Sequence, residues 1–262
     1  MSMASDQQQP ALTVALGEDF VATVELHRPP DNYFDRALIG ALADAYHALD
    51  ADPGCRAIVL CAEGKHFCAG ANLTGTGNSD LADGVGSLYR EAIRLFEATT
   101  PVVAAVHGAA IGGGLGLACS ADFRVGCPEA RFAANFARLG FHHGFGLSVT
   151  LPAIVGQQRS LELLYTGRRI GGEEAARIGL CDRLVPADQV RAAAHALAAE
   201  IAGSAPLAVR SIRATMRGQL AGQVRAATAR EGAEQDRLRE TADWREGVRA
   251  MAERRAPRFE AR

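Results

Sequence analysis

Apolar positions along the chain follow two periods. From Leu12 to Leu26, "LTVALGEDFVATVEL" reads as two β-rich runs separated by Gly17-Glu18-Asp19, the composition of a hairpin turn. Pro29 and Pro30 close the second run. From Asp35 to Asp50 the period lengthens: Leu38, Leu42, Tyr46 and Leu49 recur at helical spacing behind Asp35, a candidate N-cap. Pro53-Gly54 breaks the chain, and "RAIVLCAEG" reads as a buried strand ending at Gly64. The sequence then repeats this order: a Gly-rich polar loop over 74–86, a helix with Leu88, Ala92, Leu95 and Phe96 on one face, Pro101, and the strand "VVAAVHG". A helix opened by three glycines follows, then "DFRVGC" and "ARFA" as short strands. Strands alternating with helices predict βαβ units and a largely parallel sheet. Beyond Pro186 the pattern is mostly helical. Ser204-Ala205-Pro206 marks a helix start, and 206–258 is arginine-rich with apolar residues interspersed, a tail that can fold over its own core or dock on a neighbour. No linker rich in Pro, Gly or Ser divides the chain.

Composition narrows the classes. In 262 residues, 48% hydrophobic and 22% charged, a sizeable core can be buried in one large domain. A formal net charge of -2 gives no electrostatic reason to expect nucleic acid or an anionic membrane surface. Cys55, Cys61, Cys68, Cys119, Cys127 and Cys181 form no C-x-x-C pair, which argues against zinc; they read as small core residues. "MSMASDQQQP" lacks an apolar h-region and no run of eighteen apolar residues occurs, so 1–10 is expected to be a loose tail on a soluble, cytoplasmic protein. Lys65 is the single lysine.

Several catalytic patterns fail on spacing. "GGGLGLAC" lacks the third glycine of a dinucleotide fingerprint, and Gly64-Lys65 is followed by His66 where a phosphate loop needs Ser or Thr. Ser148 in "GLSVT" is no nucleophile elbow, and adjacent His142-His143 lack the i,i+4 spacing of a helical metal site. Two loops remain. "GKHFCAGANL", 64–73, and "GAAIGGGLGLA", 108–118, each follow the C-terminal end of a strand, where α/β sheets form binding crevices. Small residues admit a ligand to the backbone, and the free N–H groups of a helix start favour an anion. Taken singly, either loop is equally consistent with close strand–helix packing.

These loops, with "AAVHGAAIGGGLGLACSADFRV", "EARFA", "YTGRRIGGEEAARIGLCDRLVP" and "WREGVRAMAERRAPRF" in order, resemble the enoyl-CoA hydratase/isomerase (crotonase) superfamily over residues 11–260. The resemblance implies an α/β fold: a crotonase-like spiral of ββα units over 11–205 and a helical C-terminal oligomerisation region over 206–262, assembled as a homotrimer or dimer of trimers. It implies coenzyme A thioester substrates, with coenzyme A as part of the substrate and no separate cofactor or metal. By motif position, the N–H groups of Ala71 and Gly113 would form an oxyanion hole for the thioester oxygen, each such donor worth about 3 kcal/mol of barrier in comparable sites. Ala69 would offer its carbonyl to the adenine, Asn72 and Leu73 would line the CoA path, and Asp31 and Tyr33 would stand near its entrance. Lys65 and Arg28 are phosphate partners or, equally, solvated surface charge.

The chain departs from the hydratase pattern where water is handled. That pattern has a glutamate two residues after the triglycine and a second a few residues beyond the "ARF" strand. Here Gly116 and Phe136 occupy those places in the acyl pocket, and neither neighbouring register supplies an acid. Among substitutes, Asp122 reads as a structural cap, Glu129 as exposed, His107 as packing, and His66 as turned away by strand alternation. His142 and His143 follow Phe136 in "GFHHGFGLS" and are the candidates to move a proton near neutral pH, with aromatic packing as the rival reading. The expected activity is therefore that of a CoA-thioester enzyme, lyase or isomerase, stabilising an enolate. The alternatives are a different crotonase-fold reaction (isomerisation, decarboxylation, C–C cleavage or hydrolysis) or a non-catalytic acyl-CoA-binding protein. An RNA-binding relative is disfavoured by the charge balance.

Overall fold

The computed structural model describes residues 10–71 and 85–262. Asn72, Leu73, most of the predicted polar loop and the first nine residues of the expected tail lie outside the described residues.

The chain opens with the predicted hairpin. Strands β1 (Leu12–Leu16) and β2 (Val21–Leu26) pair antiparallel with Leu16 opposite Ala22. Gly17 N–H donates to Val21 O at 2.9 Å to close the turn. Helix α1 (Arg36–Ala51) follows; Asp35 caps it by accepting from Leu38 N at 2.8 Å, and the spaced residues Leu38, Leu42, Tyr46 and Leu49 are its buried face. Strand β3 (Ala57–Ala62) is buried at all six positions, which is why its sequence shows no alternation. Next come α2 (Val85–Glu97), β4 (Val102–Val106), β5 (Ala109–Ile111), α3 (Gly113–Ser120), β6 (Phe123–Gly126) and β7 (Arg131–Ala133). A 3-10 turn (Asn135–Leu139) leads to α4 (Leu147–Val155) and α5 (Gln157–Thr166). The short elements β8 (Ile170–Gly171), α6 (Gly172–Arg177) and β9 (Arg183–Leu184) precede α7 (Val190–Ala202). Helices α8 (Pro206–Arg217), α9 (Leu220–Arg239) and α10 (Ala242–Ala252) complete the chain.

Two sheets organise these elements. The larger runs β1-β2-β3-β4-β6-β9, parallel throughout except for the hairpin; the smaller runs β5-β7-β8. Two successive turns each give one strand to the large sheet, one to the small sheet and then a helical segment: β4-β5-α3, then β6-β7 and the 3-10 turn; among the described residues the earlier turns contribute only isolated bridges at Phe34–Ala71 and Cys68–Ala110. This is the ββα spiral that the resemblance implies, and the short β5 segment was hidden in the sequence inside a glycine-rich stretch. All six cysteines are free and buried, as their apolar settings suggest. Among the described residues no single helix is long and apolar enough to cross a membrane.

The last helices are tied to the spiral by charge as well as by packing. Helix α9 packs on α2 and α4. Helix α8 buries no residue and leaves Leu207, Ile212 and Met216 exposed. Asp122, at the α3–β6 junction, holds it: the carboxylate accepts from Val102 N at 2.8 Å, from Arg213 Nε at 3.0 Å and from Arg217 Nη1 at 2.8 Å. Asp122 is thus structural, as its position suggested, but it joins three elements. The two guanidiniums are only 11% and 21% exposed, so removing the acid strands two nearly buried cations. Asp122→Ala is expected to cost about 3–5 kcal/mol, read as a lowered urea midpoint; a midpoint unchanged from wild type would show that α8 does not depend on this ion cluster.

Candidate active site

The two glycine-rich loops meet backbone to backbone. Cys68 N–H donates to Ala109 O at 2.9 Å and Ile111 N–H returns to Cys68 O at 3.0 Å, a short parallel bridge between loops about forty residues apart. Gly114 sits so close to this bridge that a Cβ placed on it would lie 2.0 Å from Cys68 O. Likewise, a Cβ on Gly70 would lie 2.8 Å from Ile111 O and 3.4 Å from Gly113 N. The Ala71 and Gly113 amides therefore stand side by side, one at a loop end and the other at the first position of α3. Neither N–H donates to a protein acceptor among the described residues. Phe34 braces both: its N–H donates to Gly70 O at 3.0 Å, and its ring lies where a Gly113 side chain would be. Asn32, fully buried, holds the first loop from the other side. Its Nδ2 donates to Glu63 O and His66 O, each at 2.7 Å, and its Oδ1 accepts from Arg28 N at 2.9 Å.

These amides line a cavity of about 620 Å³, within the range of a ligand site. Ala69, Asp31, Tyr33 and Lys65 also line it. The Asp31 carbonyl accepts from Ala69 N at 2.9 Å, and burial, with the Asp31 charge, pushes the Tyr33 phenol up. Arg28 does not line the cavity; its guanidinium donates to Asp35 Oδ2 at 2.7 Å. His66, His107 and Glu129 are in the lining. His66 Nε2 lies 3.7 Å from Asp31 Oδ1. His107 Nε2 donates to Gly64 O at 3.0 Å in a tautomer that leaves Nδ1 buried and unpartnered, and burial pulls its pKa down.

Much of the remaining lining is aromatic. Phe136 stacks on Phe141 at 6.4 Å between centroids, and Phe34 meets Phe145 at 5.5 Å. Leu139 and Tyr89 join them. Tyr89 and Phe34 were not singled out from the sequence. Tyr89 shares its helical face with Ala92 and Phe96, so the spacing that marked a core face also marked a pocket residue.

His142 and His143 are not in the lining. Their rings stack on each other at 4.2 Å; His142 Nδ1 donates to His143 O at 2.7 Å, and His143 Nε2 bonds Ser148 Oγ at 2.8 Å. Burial and then the neighbouring His142 pull the His143 pKa down to about 4. Among the described residues no group of three His, Cys, Asp or Glu could hold a metal.

The family model for enoyl-CoA hydratase/isomerase matches residues 17–262. The chain belongs to the enoyl-CoA hydratase/isomerase family. A crotonyl-CoA hydratase of Syntrophomonas wolfei is 32% identical over 247 residues, which cover 92% of this chain and 95% of that protein. Among solved structures, an enoyl-CoA hydratase/isomerase from Pseudoalteromonas atlantica T6c matches with a TM-score of 0.86 at 33% identity, covering 96% of this chain and 100% of that one. A carnitinyl-CoA hydratase from Mycobacterium avium matches with a TM-score of 0.85 at 30% identity, covering 96% and 99%. The fold is the crotonase-like spiral of ββα units with a helical C-terminal region.

Within this member of the enoyl-CoA hydratase/isomerase family, aromatic rings stand at Gly116 and Phe136, the two positions expected in the acyl pocket. Gly116 does not line the cavity, because Phe145 covers it: a Cβ on Gly116 would lie 2.5 Å from Phe145 Cβ and 2.8 Å from Cγ. Phe145 reaches this place through a left-handed backbone, φ 61. Phe136 does line the cavity, its Cζ 3.7 Å from a Cβ placed on Gly112. A side chain at 116 therefore has no room unless Phe145 moves. Gly116→Ala is expected to lower stability by about 1–3 kcal/mol through overpacking; in a Phe145→Ala background, itself costly because that ring is buried, the same substitution should cost less. Denaturant titrations of the single and double variants test this. A Gly116→Ala variant as stable as wild type would show that Phe145 moves aside freely.

Proposed function

We propose that this chain binds a CoA thioester across the 64–71 and 108–113 loops and holds its thioester oxygen between the N–H groups of Ala71 and Gly113, stabilising the enolate or related oxyanion. The observation that carries this reading is the pair of neighbouring amides in a cavity wall, neither with a protein acceptor among the described residues. Such donors, fixed in advance by the fold, need no reorganisation as charge develops. In this reading the adenine takes the Ala69 carbonyl, Asp31 and Tyr33 flank the entrance, Asn72 and Leu73 follow the CoA, and Lys65 faces its phosphates. The acyl group lies against Phe34, Phe136, Phe141 and Tyr89. Coenzyme A enters as part of the substrate, with no separate cofactor.

Two-carboxylate hydration is absent from this reading, since Gly116 and Phe136 carry no acid. A proton role for His142 or His143 would need the 140–146 segment to refold, because each imidazole is engaged outside the cavity. Chemistry in which the substrate's own bond supplies the electron pair, such as decarboxylation, asks least of such a site; the polarised thioester is also set for isomerisation or hydrolysis. The rings at both acid positions equally favour a second reading, an acyl-CoA-binding protein without turnover. The exposed apolar residues of α8 support a homotrimer or dimer of trimers, and six free buried thiols support a reducing, cytoplasmic setting.

Calorimetry with butanoyl-CoA and its thioether S-butyl-CoA, which lacks the carbonyl oxygen, tests the amide pair. The thioester is expected to bind at least about tenfold more tightly, the equivalent of one hydrogen bond. Equal affinities would remove the oxyanion role, and no binding of either to folded protein would remove the thioester reading. Crotonyl-CoA hydration is expected to run about 10²–10⁴-fold slower per missing group than a two-glutamate hydratase in the same assay; comparable turnover would reveal another acid–base pair. Light scattering at micromolar concentration should give a trimer or a multiple of it, and a stable monomer would refute the assembly.

A further inference from the structure

The lining beyond the two loops carries a cation that thioester binding does not use. Arg239, in the last turn of α9, lines the cavity together with Gln235 one turn earlier and Tyr89 of α2. Its side chain is 15% exposed. No hydrogen bond from its guanidinium reaches an acceptor among the described residues, and its Nε is shut off from solvent without a partner. The carboxylate paired with it, Asp236 on the same helix, is 3.8 Å away and half exposed. The face of the guanidinium rests over the Phe141 ring at 5.4 Å.

The neighbouring polar groups are already engaged with one another. Tyr89 OH donates to Gln235 Oε1 at 2.7 Å, and Gln235 Nε2 donates to His142 O at 2.8 Å. This chain of bonds fixes the wall and leaves the guanidinium as its unused donor. From Gly112 the wall runs over Phe136, which stacks on Phe141, which in turn underlies Arg239. An acyl chain held at Ala71 and Gly113 would pass along these rings toward a planar fork of N–H groups. A nearly buried guanidinium is costly unless paired, and burial pulls its pKa below the ordinary arginine value, a penalty that an arriving anion reverses. The geometry of such a fork matches a carboxylate with two parallel bonds.

We propose that Arg239 receives a carboxylate at the distal end of the acyl group, so that the substrate class is the CoA thioester of a dicarboxylic acid rather than of a plain alkyl acid. This rests on the thioester reading of the same cavity and adds the chemistry of the acyl tail. Arg239 is then a specificity-determining residue, remote from the reacting carbonyl.

Saturated thioesters have no double bond to hydrate, and assay of free CoA thiol beside each titration reports any hydrolysis. Calorimetry would compare succinyl-CoA with butanoyl-CoA, glutaryl-CoA with pentanoyl-CoA, and adipoyl-CoA with hexanoyl-CoA. At one chain length or more, the dicarboxylic member is expected to bind at least about tenfold more tightly, and in Arg239→Met that ratio should fall to near one. Circular dichroism and a melting curve establish that the variant is folded; Arg239→Gln, which keeps a polar group, replaces it if it is not. Alkyl thioesters bound as tightly as their dicarboxylic partners at every length would overturn the proposal. So would a preference that survives both substitutions, since the anion would then be held elsewhere. Failure of all six thioesters to bind folded wild type would overturn the thioester reading itself, and this inference with it.

Discussion

Everything at the site depends on how closely two stretches of main chain approach. The 64–71 and 108–114 loops share a two-bond parallel bridge at Cys68, and the chain can draw that close only where no side chain intervenes. A Cβ on Gly108 would fall 2.2 Å from Lys65 O, and one on Gly114 would fall 2.0 Å from Cys68 O. Wider spacing would separate the Ala71 and Gly113 amides, and each would face solvent as an ordinary loop N–H. Phe34 and Asn32 then hold the pair from outside the loops, so the two amides are positioned by parts of three consecutive turns of the spiral. Its donors are main-chain groups, whose positions do not depend on a rotamer.

That reliance on main chain explains what could be read in the sequence. The glycines and alanines of the two loops, the Asp35 cap and the unbroken apolar run of β3 each reflect a constraint acting on neighbours in sequence, so they are visible as motif, cap and period. The spiral follows from the alternation they punctuate. The residue types at 116 and 136 were also legible, because a position is named by its motif whatever stands there. What packs against them was not. Phe145 fills the space over Gly116 through a left-handed backbone set between Gly144 and Gly146, and nothing in the local pattern states which way its ring turns. His142 and His143 lie at the expected place in the chain, yet stacking on each other and bonding to Ser148 satisfy them outside the lining. Arg239 and Gln235 sit in a tail whose many arginines mostly face solvent, and only the packing of α9 on α2 and α4 distinguishes them.

The arginines divide into classes by what burial leaves them. Arg213 and Arg217 are nearly buried and share Asp122, so their charge is spent on fastening a helix. Arg168 is partly exposed and bonds Glu162 and Glu174; such surface pairs carry little net stability. Arg239 belongs to neither class: it is enclosed, its only ion pair among the described residues is the 3.8 Å approach of half-exposed Asp236, and its Nε has no partner. The distribution of partners, more than the number of cations, tells structural charge from charge kept open toward a cavity.

One residue stands apart from all of these. Lys65 is the chain's single lysine, and it is exposed at the lining of the cavity. A guanidinium stays protonated at any ordinary pH, whereas an ammonium can lose its proton and become a nucleophile. Apart from the N-terminal amine, the protein therefore presents amine-selective reagents with one side chain, located where ligand would cover it. Covalent labelling at that nitrogen places a fluorophore or crosslinker beside the first loop without any engineered cysteine, and ligand occupancy can be followed as protection of a single atom.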